Sequence, residues 1–226
     1  PKLRFPEFTD PWEQRKLDEI TERVTRKNKD LESELPLTIS AQYGLVDQES
    51  FFNKRIAAKD ITNYFLIKNG EFAYNKSYSV GYPFGAVKRL DKYDKGVLSS
   101  LYIVFNPKSE SIDSDFLTHY FETDRWYKHV SENAAEGARN HGLLNITASD
   151  FLKLPLTVPT NIEEQRKIAQ FLGSVDESIA LHQRKLDEFK ELKSGLLQKM
   201  FPKNGESIPE VRFPGFTDPW EQRKLG

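Results

Sequence analysis

Apolar residues between Leu35 and Pro107 fall in short continuous or alternating runs, and Gly, Pro and Asn separate these runs. β-Branched and aromatic side chains dominate the runs, and "KNGE" and "NPKS" are typical turn sequences, so this region predicts β-strands. The predicted strands are "LPLTIS", "NYFLIKNGEFAYN", "FGAVKRL" and "GVLSSLYIVFNP".

The regions that flank these strands predict short helices and loops. Ser111–Asn133 predicts one helix, because it begins with Ser and Asp cap candidates and its apolar residues fall mostly on one side. Ala134–Asn145 predicts a glycine-containing loop, and a brief helix at Ser149–Lys153 and a strand in "LPLTVP" follow it. The polar run Asp18–Glu34, which precedes the strands, predicts a short helix followed by a loop.

The segment from Asn161 to Phe201 contains no proline and predicts one long helix. Ten positions at an alternating spacing of four and three form a stripe that we call the seam, and eight of them are apolar. The seam consists of Ile168, Leu172, Val175, Ile179, His182, Leu186, Phe189, Lys193, Leu196 and Met200. This spacing, sustained over about five heptads, predicts a left-handed coiled coil.

A single amphipathic helix that lies on its own globular domain is the alternative to a coiled coil. A helix of about 40 residues is roughly 60 Å long, which exceeds the size of a domain of about 150 residues. Much of the seam therefore needs a second helix to cover it. We interpret the polar seam positions His182 and Lys193 as residues that fix the register or the partner.

The chain also contains a repeat. Leu3–Leu17 and Val211–Leu225 match at 13 of 15 positions. We therefore divide the chain into a repeat segment (1–17), a globular domain (18–160), a long helix (161–201) and a linker with the second repeat copy (202–226). The predicted fold class is α+β, a mixed α/β domain with a β-rich core followed by one long coiled-coil helix. In this interpretation the first copy opens a module, and the second copy is the stump or the vestige of another.

Composition narrows the class of protein. With 38% hydrophobic and 12% aromatic residues among 226, the chain has the composition of an ordinary globular protein. No apolar run approaches the roughly 18 residues of a membrane helix, and no signal-peptide pattern opens the chain, so we expect a cytoplasmic protein. Zero cysteines exclude disulfides, thiolate metal sites and a cysteine nucleophile.

Motifs for catalysis are missing from the sequence. The chain has neither the glycine-rich loop nor the Asn-Pro-Pro-aromatic loop of a DNA methyltransferase, and "GYPFG" is better explained as a tight turn. The nuclease-like "EFK" and "ELK" lie on the predicted long helix, and the four histidines are scattered. We therefore predict a binding protein with no catalytic residues, no metal site and no cofactor.

Charge and motif composition indicate what the chain binds. The net charge is −1, but residues 54–108 carry ten Lys/Arg against four Asp/Glu, as a surface for a polyanion requires. "YNKSYSVGYPFGAVKRL" and "GARNHG" combine basic, aromatic and amide side chains, which contact phosphates and base edges in DNA complexes. The alternative for these residues is core packing or turn capping. The candidate DNA contacts are Lys76, Ser77, Tyr78, Tyr82, Lys88, Arg89, Arg139, Asn140 and His141.

Several segments together resemble the specificity (S) subunit of type I restriction–modification systems. They are "RFPEFTDPWEQRKL", "LTISAQYGLVDQESFF", "EFAYNKSYSVGYPFGAVKRL", "GVLSSLYIVF" and the junction that leads from "LPLTVPTNIEEQRKIAQFL" into the long helix. The resemblance implies two target-recognition domains, each followed by a long helix, with the two helices antiparallel. Each domain would read half of a split DNA target in the major groove, while methyltransferase (M) subunits, which recruit restriction (R) subunits, do the chemistry.

This chain has one such domain and one helix, so the resemblance implies a half-length form. We expect two copies to pack their helices antiparallel and to favour a palindromic target with a fixed gap. The predicted dimer interface is Ile168, Leu172, Val175, Ile179, His182, Leu186, Phe189, Leu196 and Met200. The alternative function is a coiled-coil adaptor or scaffold that makes no DNA contact of its own.

Overall fold

The computed structural model describes residues 3–79, 81–134 and 143–224. The chain forms two compact units, Pro1–Phe171 and Leu172–Gly226. The predicted α+β class is confirmed, because short β-strands dominate the first part of the chain and a long helix follows them. Within the described residues, no helix combines the length and the apolar character that a membrane span needs.

The strands of the first unit are short. They are β1 (Glu13–Lys16), β2 (Thr21–Val24), β3 (Leu37–Ser40), β4 (Gly44–Asp47), β5 (Phe65–Lys68), β6 (Phe72–Asn75), β7 (Ala86–Arg89), β8 (Lys95–Leu98), β9 (Ile103–Pro107) and β10 (Pro155–Val158). The helices are α1 (Leu17–Ile20), α2 (Gln48–Phe52), α3 (Ser114–Phe121), α4 (Tyr127–Asn133), α5 (Ala148–Leu152) and α6 (Ile162–Lys199), the last of which continues into the second unit.

A four-stranded antiparallel sheet in the order β2-β9-β6-β7 lies at the centre of the first unit. Alternate residues of β6 enter two different cores, because side chains alternate between the faces of a strand. Phe72 and Tyr74 belong to the larger core, and Ala73 belongs to a second one. Both faces of the sheet are therefore buried at its two central strands, which explains why β6 and β9 begin as continuous apolar runs in the sequence.

Helices α3, α4 and α5 supply the larger core, which is rich in aromatic rings. The ring of Tyr74 stacks on Phe151 with centroids 4.2 Å apart, and Phe72 stacks on Phe105 at 5.5 Å. The second core lies on the other face, where the pairs β3–β4 and β5–β8 contribute residues such as Leu37.

The single helix predicted for Ser111–Asn133 is wrong, because the structure has two helices there, α3 and α4. Between them the chain turns so that Trp126 enters the core, where it is 1% exposed. Its indole Nε1 donates a hydrogen bond to the carbonyl of Phe121 (3.2 Å), and the Thr123 hydroxyl donates to the carbonyl of Tyr120 (2.7 Å). These bonds satisfy groups at the end of α3 and make the break stable.

Two strands lie in polar segments, where the apolar pattern of the sequence does not predict them. Strand β1 lies inside the first repeat copy and pairs with β10, with Gln14 opposite Thr157. Strand β2 lies in the polar run Asp18–Glu34 and pairs with β9. Both consist mostly of polar residues, so their partners, which are distant in sequence, determine their conformation.

Candidate nucleic-acid interface

The loop that follows β6 carries three of the predicted DNA contacts. The Ser77 amide donates to the Asn75 side chain (3.0 Å), and the Leu144 amide donates to the Lys76 carbonyl (3.0 Å). The Lys76 ammonium reaches the Ile146 carbonyl at 3.4 Å, and partial burial lowers its pKa. Tyr78 is 62% exposed. The loop thus presents an exposed aromatic side chain from an anchored backbone.

A glycine-lined turn places Tyr82 beside a hairpin. Gly85 has φ +80°, and a Cβ on it would lie 2.1 Å from the Asn75 carbonyl oxygen, so this close approach requires glycine. The turn interpretation of "GYPFG" agrees with this geometry. The Tyr82 hydroxyl lies 3.5 Å from the carbonyl of Ala41, in the loop between β3 and β4.

Lys88 and Arg89 lie on strand β7 and face acidic side chains. The Lys88 ammonium is 3.5 Å from a Glu122 carboxylate oxygen. Arg89 donates from Nε to Asp91 (2.6 Å) and from Nη1 to Ser114 (2.8 Å), and the same Nη1 lies 2.7 Å from Asp115. Arg89 therefore ties β7 to the start of α3, and its guanidinium is already occupied.

Some of these residues line an open cleft of about 340 Å³. Its lining includes Gln42, Tyr82, Lys88 and Glu122, together with the aromatic rings of the core. The sequence motifs do not single out Gln42 or its neighbour Tyr43, which is largely exposed. The signal was present in "SAQYG", because a glycine after a short polar turn marks a hairpin, and Gly44 has φ +77°.

The remaining predicted contacts, Arg139, Asn140 and His141, lie outside the described residues. The structure thus brings together Tyr82, Lys88 and the β3–β4 loop, and it holds Lys76–Tyr78 on the loop after β6.

The seam on α6 changes character along the helix. Its first residue, Ile168, packs against the larger core of the first unit, next to the buried Ala169. From Leu172 onward the seam is exposed as far as Leu196, and Ile179 and Phe189 are 61% and 67% exposed. The seam members after Ile168 are Leu172, Val175, Ile179, His182, Leu186, Phe189, Lys193, Leu196 and Met200.

Glu164, in the first turn of α6, anchors the first repeat copy. Arg4 donates from Nε to Oε1 (2.6 Å) and from Nη2 to Oε2 (2.7 Å) of Glu164, and Trp12 Nε1 donates to Oε1 (3.1 Å). The Trp12 ring meets Phe116 edge to face at 6.3 Å. The hydrogen bonds from Arg4 lower the pKa of Glu164, because they stabilise the charged carboxylate.

Comparison with known proteins gives one family. The profile of the type I restriction modification DNA specificity domain matches residues 9–191. The type I restriction enzyme MjaX specificity subunit of Methanocaldococcus jannaschii is 23% identical over 242 residues, which cover 100% of this chain and 54% of the relative. The chain therefore spans about half the length of this relative.

Solved structures of similar fold include the HsdS subunit from Thermoanaerobacter tengcongensis, with a TM-score of 0.57 at 18% identity over 90% of this chain and 53% of that one. The S subunit of a type I restriction-modification system from M. genitalium has a TM-score of 0.52 at 21% identity, over 89% and 48% of the two chains. A chain from a study of complex assembly and conformational transition of the type I R-M system gives 0.54 at 19%, over 90% and 53%.

Proposed function

The chain belongs to the family of type I restriction modification DNA specificity domains, and we propose that it reads one half of a bipartite double-stranded DNA target. In this proposal it directs an M subunit, and through it an R subunit, to the target. Its role is recognition, and the chemistry belongs to its partners.

The observation that carries the proposal is the combination of two surfaces in one chain of this family. One is the loop region, made of the cleft of Tyr82, Lys88 and the β3–β4 loop and of Lys76–Tyr78 on the loop after β6, where aromatic, amide and basic side chains suit base edges and phosphates. The other is the exposed seam on α6. Exposure of a large apolar stripe to water is unfavourable, so the exposed seam supports the presence of a partner helix.

We propose that this partner is the α6 helix of a second copy, packed antiparallel. A two-fold pair of identical readers favours a palindromic target, because the symmetry of the protein matches that of the half-sites. A helix of 38 residues is about 57 Å long, which limits the separation of the half-sites to about 17 base pairs.

Gel-shift competition tests the recognition role. We expect weak binding by the chain alone, with a steep salt dependence, because contacts to phosphates release counterions. Addition of the M subunit is expected to produce a preference for one DNA sequence. Binding that does not depend on salt, or no binding even with the M subunit, would favour an adaptor without DNA contact.

The double variant Ile179→Asp/Leu186→Asp tests the self-association. Both side chains are exposed on the seam, so two carboxylates there should prevent dimerisation at tens of micromolar while the first unit stays folded. Light scattering gives the mass, and circular dichroism reports folding. Glu188→Gln, a change on the same helix outside the seam, is the control. A double variant that still dimerises would contradict the seam assignment.

A further inference from the structure

The two repeat copies carry the same contact residues, but among the described residues the first copy alone occupies a docking site. We define the docking site as Glu164, Phe116 and strand β10. The two residues of the first copy that bind the Glu164 carboxylate, Arg4 and Trp12, correspond to Arg212 and Trp220 in the second copy. The chemistry that fits the docking site is therefore present twice in each chain.

The second copy keeps the local structure of the first but contacts no such docking site among the residues that the structure describes. Arg212 Nη1 donates to the Asp218 carbonyl (2.8 Å), as Arg4 Nη2 donates to the Asp10 carbonyl (2.5 Å). No carboxylate in the described part of the chain pairs with Arg212. The rings of the second copy stay in water, since Phe213 and Phe216 are 69% and 68% exposed. The corresponding Phe5 and Phe8 are half-buried.

The Val211 amide donates to the Lys199 carbonyl (3.0 Å), so the second copy begins at the C-terminal end of α6. Glu164 lies in the first turn of this helix, and a continuous helix from Glu164 to Lys199 is about 52 Å long.

We propose that the docking site accepts either copy, and that the second copy of one chain binds the docking site of a second chain in exchange for that chain's first copy. The inference rests on the self-association in the proposed function, but not on DNA recognition. An antiparallel pair of α6 helices brings the C-terminal end of one helix to the start of the other. The second copy then arrives where Glu164 lies.

The first copy holds the site more firmly than the second in the unmodified chain. It continues directly into α1, whose Leu17 is fully buried, so it has a short covalent tether. Glu7 of the first copy also pairs with Lys167, where the second copy has Gly215, but this exposed pair adds little. Exchange is thus a minor population that grows when the first copy is weakened.

Disulfide trapping in the full chain tests the exchange. Gln14 faces Thr157 across β1 and β10, both side chains are exposed, and Gln222 is the counterpart of Gln14. Opposed residues in an antiparallel pair lie at distances that suit a disulfide. The chain has no cysteine of its own. The variant Thr157→Cys/Gln222→Cys should therefore form a covalent dimer on a non-reducing gel, whereas Thr157→Cys/Gln14→Cys should close within one chain.

Added substitutions separate exchange from chance collision. Arg4→Ala should increase the covalent dimer several-fold, because it weakens the first copy, and Arg212→Ala should abolish that increase. If Arg4→Ala unfolds the first unit in a circular-dichroism melt, Arg4→Lys replaces it.

The outcomes are distinct. No covalent dimer while light scattering still shows a dimer, or a covalent dimer that Arg212→Ala leaves unchanged, would overturn the exchange alone. A monomer at tens of micromolar would overturn both the exchange and the self-association in the proposed function.

Discussion

The two repeat copies, nearly identical in sequence, adopt different structures in one molecule. In the first copy Glu13–Lys16 forms strand β1, and Arg4 and Trp12 bind a buried carboxylate. In the second copy the matching residues form no strand within the part of the chain that the structure describes, and Trp220 is 44% exposed. A short polar segment thus becomes a strand only where another strand pairs with it.

What the copies share is equally informative. The Phe8 amide donates to the Phe5 carbonyl (3.2 Å), and the Phe216 amide donates to the Phe213 carbonyl (3.4 Å). Each copy also has the bond from its arginine to the carbonyl of its aspartate. The compact turn is therefore encoded locally by the repeat, whereas strand formation depends on the docking site.

Among the variants that test the difference between the two repeat copies, Glu164→Ala should lower the stability most. The change removes the shared acceptor of Arg4 and Trp12, and we expect the free energy of unfolding to fall by about 2 to 3 kcal/mol. This figure lies below that of a fully buried ion pair because Arg4 keeps some contact with water. Urea unfolding followed by circular dichroism measures it.

Arg212→Ala is the matched control for Glu164→Ala. Arg212 bonds only to a carbonyl of its own copy among the described residues, so we expect no measurable change in unfolding. Equal destabilisation by the two variants would contradict the distinction between the copies.

A smaller effect is expected from the tryptophan pair. Trp12→Ala removes the contact with Phe116 and a hydrogen bond to Glu164, and it should cost about 2 kcal/mol, since the ring is only half-buried. Trp220→Ala removes an edge-to-face contact with Phe201 and should cost less than about 1 kcal/mol. Thermal melts of the two variants give this order, and the reverse order would refute it.

A fall in pH should selectively weaken the contact of the first copy with Glu164. Hydrogen bonds from Arg4 hold the pKa of Glu164 below its ordinary value of 4.5. Such a group stabilises the folded state above pH 4.5, and this contribution is lost as the pH falls through the lower pKa of the folded state. The stability gap between the unmodified chain and Glu164→Gln should therefore narrow as the pH falls below 4.5. Urea titrations at several pH values test this, and a constant gap would count against it.

The smallest effect on stability is expected at one of the two positions where the sequences of the copies differ. Glu7→Gly gives the first copy the residue of the second and removes its exposed ion pair with Lys167. Exposed pairs contribute little, so the melting temperature should not change measurably. The reciprocal Gly215→Glu places a side chain at φ +93° and should loosen the turn of the second copy. Hydrogen exchange of the Phe216 amide would detect that change, and unaltered exchange would argue against it.

Much of the fold follows from local sequence patterns. The long helix was predicted at Asn161–Phe201 and is observed at Ile162–Lys199, because a periodic stripe without proline is a local signal. The strands with apolar runs were also found. The break at Trp126 was missed, because a ring that turns into the core looks in the sequence like one more apolar residue of a helix.

The candidate interface was less predictable. Lys88 and Arg89 matched a basic motif, but their acidic neighbours Glu122 and Asp115 come from a distant part of the chain. Gln42 reaches the same cleft as Tyr82 only because the sheet folds their loops together. The DNA contacts and the dimer interface therefore remain predictions.

The single carboxylate of Glu164 has a consequence for how such chains diversify. Any domain that ends in a strand like β10, followed by a glutamate in the first turn of the next helix, would bind the same repeat segment. We expect that such domains can be exchanged as units between two copies of the repeat. Their loops could then differ from one target to another, while the contacts between the repeat and the docking site stay the same.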